Sequence, residues 1–290
     1  MEITASMVKE LRETTGLGMM ECKKALAEAN GDLKAAEDLL RIKSGAKAGK
    51  AAGRVAAEGV IGAYLSADAK LAALVEVNCE TDFAAKSEDF LKFANSLAEL
   101  VAKQNPANTA ELSALPLDGV AVETQRQSLV QKIGENMSIR RFHRIKTNAK
   151  IAPYLHGVKI GVLIEFEGDD ETGREVAMHI AFAKPQFMSK AEVMPEIVAH
   201  EREILSARAK ASGKPAAIIA KMINGGINKF LSEITLLGQS FVKDDKHIVE
   251  DILAARKVKI FGYKFFVVGE GIDKKSSNFA AEVMAQVKQA

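Results

Sequence analysis

The chain has 290 residues, of which 48% are hydrophobic, so it is long enough for about two domains with buried cores. Forty Lys and Arg residues against 38 Asp and Glu residues leave a net charge of only +2. This balance is not typical of proteins that mainly bind phosphate backbones, and the absence of tryptophan leaves few stacking platforms for bases. We therefore expect no direct nucleic-acid partner.

The sequence also argues against a membrane protein and a metalloprotein. No apolar stretch approaches the roughly 18 residues that span a bilayer, and the start, MEITASMVKE, resembles no export or import signal. Cys22 and Cys79 lie far apart and form no CxxC pair, which favours reduced thiols over a disulfide or a zinc site. We expect a cytoplasmic protein with no membrane partner, no cofactor and no metal.

Residues 1–54 are expected to form an N-terminal domain and a linker. Three short helices are predicted, with Thr4 and Asp32 as caps of the first and third, a bundle of the size of ubiquitin-associated domains. Leu17, Met19 and Met20 cluster at a turn, where they either form an apolar surface for a partner helix or only pack the bundle.

Residues 42–59 contain lysine, alanine and glycine with almost no large apolar side chain. This composition predicts a hinge or a frayed helix outside any core. The basic side chains of the segment could contact RNA, but a solvated linker is the better explanation of them.

The next part of the chain contains a duplicated unit. Residues 59–65 and 70–77 predict one hairpin, residues 149–155 and 158–166 predict another, and a helix follows each. KLAALVEV and KIGVLIEF are the matched strands. The fold class is therefore α+β, with antiparallel sheets in two core subdomains, residues 55–140 and residues 141–186 with 241–271.

The junction VNCETDFAAK places an acid and an aromatic residue where the first of these strands meets its helix. Thr81 is a plausible N-cap, and Asp82 follows where the helix dipole favours negative charge. Phe83 either packs as a staple against the helix or is exposed for a partner. The second copy has the polar loop EGDDETG at this place, so the fold does not require an aromatic residue here, which favours an exposed Phe83.

Residues 187–240 depart from both copies and predict an inserted helical hairpin, a coiled coil, whose return helix is weakened by Gly225 and Gly226. Residues 258–268 return to strand character. Ser276 or Ser277 can then cap a last amphipathic helix with Phe279 on its apolar face, a C-terminal module of residues 272–290.

No catalytic constellation is evident. The five histidines form no HExxH pair, no GxSxG elbow is present, and His179 within AMHIAF is typical of a packed core residue. A small-molecule enzyme would depend on the only clustered acids, Asp169, Asp170 and Glu171, which are more typical of a solvated turn.

Several segments in this order carry a resemblance: TGLGMMECKKAL, VNCETDFAAK, KIGENMSIRR, HGVKIGVL, AMHIAFAKPQF and FAAEV. Together they make the chain resemble the bacterial translation elongation factor Ts family over essentially all 290 residues. The family is not enzymatic in the bond-making sense. The resemblance implies a guanine-nucleotide exchange factor that binds elongation factor Tu, both GDP-bound and nucleotide-free.

The same resemblance implies roles for particular residues. Thr81, Asp82, Phe83 and Ala84 would form the segment that displaces magnesium from the partner, although many members have valine in place of Ala84. The N-terminal bundle, with Leu17, Met19 and Met20, and the last helix, with Phe279, would hold the partner's nucleotide domain. The family varies in the hairpin, so the resemblance leaves open a dimer of heterodimers. The alternative from the residues alone is a ubiquitin- or RNA-binding adaptor built on the N-terminal bundle.

Overall fold

The computed structural model describes residues 3–211 and 213–273, which contain α-helices and small β-sheets. The α+β class that the sequence predicts is therefore confirmed. The chain divides into two compact units. Within the described residues, the first unit contains residues 3–64, 75–142 and 267–273, and the second contains residues 65–74 and 143–266.

The chain begins with three helices, α1 (Ala5–Thr15), α2 (Met19–Glu28) and α3 (Leu33–Ala51). The Thr4 hydroxyl accepts a hydrogen bond from the Met7 N–H at 3.3 Å, and the Asp32 carboxylate accepts one from the Ala35 N–H at 2.9 Å. Both predicted caps are confirmed, because each satisfies an amide that the first helical turn leaves unpaired. The likeness to ubiquitin-associated domains stays a prediction.

Of the two alternatives predicted for residues 42–59, a hinge or a frayed helix outside any core, the hinge is wrong for the first ten residues, because α3 continues to Ala51. Ala48 and Ala51 are buried where α3 packs against α7 (Val122–Ile133). Small side chains allow two helices to approach closely, so this face needs no large apolar residue. Lys43 also pairs with Glu28 at 2.6 Å, and Lys47 pairs with Glu21, which occupies two of the basic groups proposed for RNA.

After α3 the chain forms the first of two α+β repeats. Its elements are β1 (Glu58–Leu65), β2 (Leu71–Cys79), α4 (Asp82–Ala85), α5 (Glu88–Gln104), α6 (Thr109–Ala114), β3 (Pro116–Leu117), β4 (Val120–Ala121), α7 and β5 (Met137–Lys146). β2 is the central strand of a three-stranded sheet in the order β1-β2-β5. The short pair β3 and β4 is antiparallel.

The second repeat follows the same plan. Its elements are β6 (Lys150–His156), β7 (Ile160–Glu167), α8 (Asp170–Ala183), α9 (Pro195–Ala211), α10 (Ala216–Ile234), β8 (Ser240–Phe241), β9 (Asp244–Ile248), α11 (Val249–Arg256) and β10 (Lys259–Val267). β6 pairs antiparallel with β7, and β7 is the central strand of the order β10-β7-β6. In each repeat a hairpin, a helix, a short strand pair, a second helix and a third strand follow one another, with α9 and α10 inserted in the second.

A glycine allows the helix and the sheet to meet closely in each repeat. A Cβ atom at Gly62 of β1 would overlap the backbone carbonyl of Ala94 in α5. A Cβ atom at Gly173 of α8 would lie 2.6 Å from the Phe166 ring of β7. Both contacts are shorter than van der Waals distance. A side chain at Gly62 would therefore require a shift of the backbone of α5, and one at Gly173 would require the Phe166 ring or α8 to move.

The inserted hairpin consists of α9 and α10, which pack against each other. α10 is continuous through the Gly225-Gly226 pair, and a Cβ atom at Gly226 would lie 2.8 Å from Leu205 Cδ1. Gly226 therefore serves helix packing. Next to the hairpin, Leu236 is fully buried in the core of the second unit and its N–H donates to the Phe187 carbonyl at 2.8 Å. The coiled-coil description stays a prediction.

Among the described residues, no helix has both the length and the apolar character needed to cross a bilayer. The predicted C-terminal module lies almost entirely outside the described residues, and so does Phe279.

Candidate functional site

The junction between β2 and α5 consists of two capped turns. The Thr81 hydroxyl accepts a hydrogen bond from the Ala84 N–H at 3.3 Å, which confirms Thr81 as the cap of α4. Ser87 caps α5 in the same way, through the Phe90 N–H at 3.4 Å. The sequence predicted one helix from Thr81 onward. The second cap interrupts it, because a serine side chain satisfies the amide that a continuous helix would have bonded.

This interruption directs Phe83 away from the core. Phe90 is fully buried on the inner face of α5, whereas the Phe83 side chain is 80% exposed. The staple interpretation of Phe83 is therefore wrong, and the predicted exposure is confirmed. Ala84 and Ala85 are buried, so the short helix is held by small residues on its inner side.

A charged pair lies beside the exposed ring. Asp82 pairs with Lys86 at 2.6 Å, and the Lys86 ammonium lies 6.0 Å from the centroid of the Phe83 ring. Both charged side chains are more than two-fifths exposed, so their pairing adds little to stability. The segment 81–86 thus presents a large apolar group and an exposed carboxylate side by side.

Glu135, for which the sequence predicted no role, holds the start of this segment in place. The Glu135 carboxylate, in the loop before β5, accepts hydrogen bonds from the Glu80 N–H at 3.1 Å, the Thr81 N–H at 2.9 Å and the Thr81 hydroxyl at 2.5 Å. In return, the Glu80 carboxylate accepts the Asn136 N–H at 2.5 Å. Glu135 is in the quoted segment KIGENMSIRR, but no local pattern connects it to Thr81.

Cys79 lies directly before the segment and is buried. Burial raises the pKa of its thiol to about 12, and the nearby Glu135 carboxylate acts in the same direction. The thiol is therefore neutral at physiological pH and donates to the Thr81 carbonyl at 3.2 Å. A thiol in this state is neither a nucleophile nor a metal ligand.

The three residues of the predicted bundle surface do not lie together. Met19 and Met20 are 59% and 64% exposed at the start of α2. Leu17 is a correction to the prediction, because its side chain is buried in the bundle core with Leu11 and Leu26. The loop between α1 and α2 directs Leu17 inward before the helix begins. The apolar surface therefore consists of the two methionines.

The acidic cluster of the second repeat has a structural role. Asp169 caps α8 by accepting the Thr172 N–H at 2.7 Å, and Asp170 pairs with Lys150 at 2.8 Å. A cleft of about 600 Å³ in the first unit is lined by other residues and by none of Asp169, Asp170 and Glu171. These acids therefore give no support to an enzyme.

His179 is a core residue, as the sequence predicts. It is 1% exposed, its Nδ1 accepts the Val242 N–H at 3.2 Å, and its Nε2 lies 3.0 Å from Gln239 Oε1. Burial lowers its pKa. Over residues 3–211 and 213–273, no group of three or more His, Cys, Asp or Glu side chains could hold a metal ion.

Comparison with known proteins identifies the family of the chain. The family model described as Elongation factor TS matches residues 80–270, which begin at the segment held by Glu135. The chain is 56% identical over 291 residues to Elongation factor Ts of Nitrosomonas eutropha, covering 100% of this chain and 99% of the relative. It is 58% identical over 284 residues to Elongation factor Ts of Bordetella petrii, covering 98% and 97%. The chain therefore belongs to the elongation factor Ts family of translation elongation factors.

Proposed function

We propose that this chain is a guanine-nucleotide exchange factor for elongation factor Tu. It binds the GDP-bound partner, accelerates the release of GDP and leaves the nucleotide site free for GTP. Family membership supports this role, and the observation that carries it is the 80% exposure of Phe83 on a segment that two caps and Glu135 hold in place. No bond is made or broken in such a reaction.

The segment 81–84 acts on the magnesium ion of the partner. A GTPase holds its nucleotide through a phosphate loop and a Mg²⁺ ion that bridges the phosphates, so displacing the ion lowers the affinity for GDP. Phe83 enters the partner as an apolar wedge, while the exposed Asp82 carboxylate disturbs the ligands of the ion. Thr81 and the buried Ala84 fix the short helix that carries Phe83, through the hydrogen bond from the Ala84 N–H to the Thr81 hydroxyl.

Linkage sets the size of the effect that is required. A factor that binds the nucleotide-free partner more tightly than the GDP-bound one must loosen GDP by the same ratio. A single buried aromatic hot spot contributes roughly 2 kcal/mol or more. This is about a 30-fold change in an equilibrium constant, and the wider interface supplies the rest.

A rigid segment makes this wedge effective. Ordering a side chain on binding costs about 0.5–1.5 kcal/mol, and this cost is smaller when the free protein already holds the bound conformation. The hydrogen bonds from Glu80 and Thr81 to Glu135 supply this order in the free chain. We therefore assign Glu135 a supporting role in exchange.

The rest of the interface holds the partner. Met19 and Met20 form an exposed apolar surface at the start of α2, and flexible thioethers adapt well to a partner helix. From the family resemblance we add Phe279 to this set. The proposed working place is the cytoplasm, where the translation machinery of a bacterium is found.

The proposal is tested by the release of fluorescently labelled GDP from elongation factor Tu. Catalytic amounts of the chain should accelerate release many-fold when unlabelled nucleotide is in excess. A GTPase from outside translation serves as the control and should show no acceleration. Release from elongation factor Tu at the spontaneous rate, with a folded chain present, would contradict the proposal.

A further inference from the structure

A buried carboxylate lies on the strand that leads to Phe83. Glu76 of β2 is 0% exposed, and both of its carboxylate oxygens accept hydrogen bonds. Oε1 accepts hydrogen bonds from Arg140 Nη1 at 2.9 Å and from the Gly269 N–H at 2.8 Å, and Oε2 accepts one from Arg141 Nε at 2.6 Å. One side chain therefore joins the central strand, the neighbouring strand β5 and the turn at residues 267–270.

The two arginines continue from Glu76 to the same turn. Arg141 Nη2 donates to the Val267 carbonyl and to the Glu270 carboxylate, both at 3.1 Å. Arg140 Nη2 donates to the Glu270 carbonyl. Each guanidinium thus donates one hydrogen bond to the Glu76 carboxylate and another to the turn. The planar guanidinium, with several N–H donors, favours such an arrangement.

The turn itself is closely packed within the first unit. Gly269 has a φ of +72°, and a Cβ atom there would overlap the Ala57 carbonyl. Only glycine meets both conditions without strain. Residues 267–270 are therefore held by backbone shape as well as by charge.

The fold alone does not require this arrangement. The matched strands KLAALVEV and KIGVLIEF place Glu165 of β7 at the position of Glu76. Glu165 is only partly buried, and its carboxylate accepts a hydrogen bond from the Thr147 hydroxyl. Burying a charge costs free energy that well-packed apolar residues would avoid, so a stability role gives a poor account of Glu76.

We infer that Glu76 is a positioning residue that fixes the 267–270 turn to the sheet carrying the Phe83 segment. The described residues that follow the turn, 271–273, therefore begin at a defined point relative to Phe83. This inference rests on the proposed function, in which Phe279 and Phe83 bind the same partner. When the turn that precedes Phe279 is held at a fixed place relative to Phe83, binding of the partner to Phe83 raises the effective concentration of Phe279 for its own contact.

Glu76 and the Phe83 segment are separate along the chain. A substitution of Glu76 should therefore weaken binding to the partner and leave the maximal rate of GDP release nearly unchanged. Glu76 lies three residues before the end of β2, and the Phe83 segment has its own caps and its own contacts with Glu135. Glu76→Gln keeps the size of the side chain but leaves two guanidinium groups without their shared anion. It should release the turn while leaving the wedge in place.

The first experiment measures the turn in the free, full-length protein. Amide hydrogen exchange of residues 267–270 should become faster in Glu76→Gln and stay unchanged in Glu165→Gln, the control at the same repeat position. Glu270→Ala is the second variant, because its side chain is 53% exposed and its loss does not endanger the core. It should also speed exchange in the turn, but less. Unchanged protection of the turn in both Glu76→Gln and Glu270→Ala would overturn the anchoring, whether or not the proposed function is correct.

The second experiment is a double-mutant cycle in the full chain with Phe279→Ala. GDP release is measured against chain concentration for the wild type, Glu76→Gln, Phe279→Ala and the double variant. Glu76→Gln should raise the half-saturating concentration roughly tenfold, the loss expected of one weakened contact region, and should change the maximal rate less than about twofold. The double variant should lose little more than Phe279→Ala, because the two residues act on one contact.

Independent, fully additive losses would overturn the inference, as would a loss confined to the maximal rate. If the wild-type chain accelerates no GDP release at all, the proposed function fails. The hydrogen-exchange result then still decides whether Glu76 anchors the turn.

Discussion

Glu135 and Thr81 are 54 positions apart, yet the Glu135 carboxylate accepts both the N–H and the hydroxyl of Thr81, at 2.9 and 2.5 Å. The same hydroxyl oxygen accepts the Ala84 N–H. The cap of α4 is thus itself held by a residue from the loop before β5. The orientation of Phe83 therefore depends on a contact that is distant in sequence.

The first prediction is that Glu135→Ala lowers the maximal rate of GDP release several-fold, although Phe83 itself is not substituted. Two backbone N–H groups lose their acceptor, which costs about 1–3 kcal/mol of unfolding free energy and loosens the segment. Stopped-flow release at saturating chain, together with thermal unfolding, measures both effects. Glu99→Ala, which removes an exposed pair with Lys103, is the control and should change neither. If Glu135→Ala exchanged at the wild-type rate, the supporting role would be withdrawn.

The second prediction separates two residues of the first bundle. Leu17→Ala should destabilise the bundle by about 2–5 kcal/mol, the usual cost of a buried leucine. Met20→Ala should leave the melting temperature nearly unchanged and weaken binding to elongation factor Tu, because the side chain is 64% exposed. Calorimetric unfolding and titration with the partner measure the two quantities. Equal affinity of Met20→Ala and the wild type would remove Met20 from the interface.

The third prediction concerns the inserted hairpin. Replacing residues 196–233 by a short Gly-Ser linker should leave a folded core that still exchanges at reduced efficiency. Deleting residues 189–240 should unfold the second unit, because it also removes the buried Leu236 and the Gln239 side chain that contacts His179. Circular dichroism and GDP release distinguish the two deletions. A folded shorter deletion with no exchange at all would show that the hairpin is essential.

The fourth prediction is a pH dependence of stability from His179. Burial lowers its pKa, so between the ordinary value of about 6.5 and the lower folded value the unfolded chain binds more protons than the folded one. The unfolding free energy should therefore fall as the pH drops through this window and should change no further from this group below the folded pKa. His143, whose pKa is lowered by burial and by Lys264, contributes in the same direction.

His179→Asn tests this directly, because the asparagine oxygen can still accept the Val242 N–H but carries no titrating ring. Its unfolding free energy should depend less steeply on pH below about 6.5 than that of the wild type. An unchanged slope in His179→Asn would assign the acid sensitivity to other groups.

The sequence predicted the parts of the fold that local chemistry determines. Thr4, Asp32 and Thr81 were identified as caps because a hydroxyl or carboxylate at a helix start satisfies free amides within three residues. The exposure of Phe83 was inferred by comparing the two repeats. Both arguments use residues that are close together or that repeat.

Contacts between distant segments were not predictable in this way. Glu135 meets Thr81 across 54 positions and Glu76 meets Gly269 across 193, and neither pair leaves a periodic pattern. The buried face of the helix from residue 42 to residue 51 was missed because it consists of alanines and Ser44, which lack the apolar signal used to recognise a core. Leu17 was misplaced because the loop before α2 determines its direction, and spacing alone does not.

The central claim is that Phe83 is a wedge for the partner, and Phe83→Ala tests it most directly. Removing an exposed ring costs little stability, whereas removing a buried one costs about 3–5 kcal/mol. Phe182→Ala is the matched control, because Phe182 is 76% exposed on α8 in the second repeat. Both variants should melt within a degree or two of the wild type, and both should bind elongation factor Tu. Only Phe83→Ala should lose most of the acceleration of GDP release. A Phe83→Ala chain that melts many degrees lower, or that releases GDP as fast as the wild type, would contradict the account.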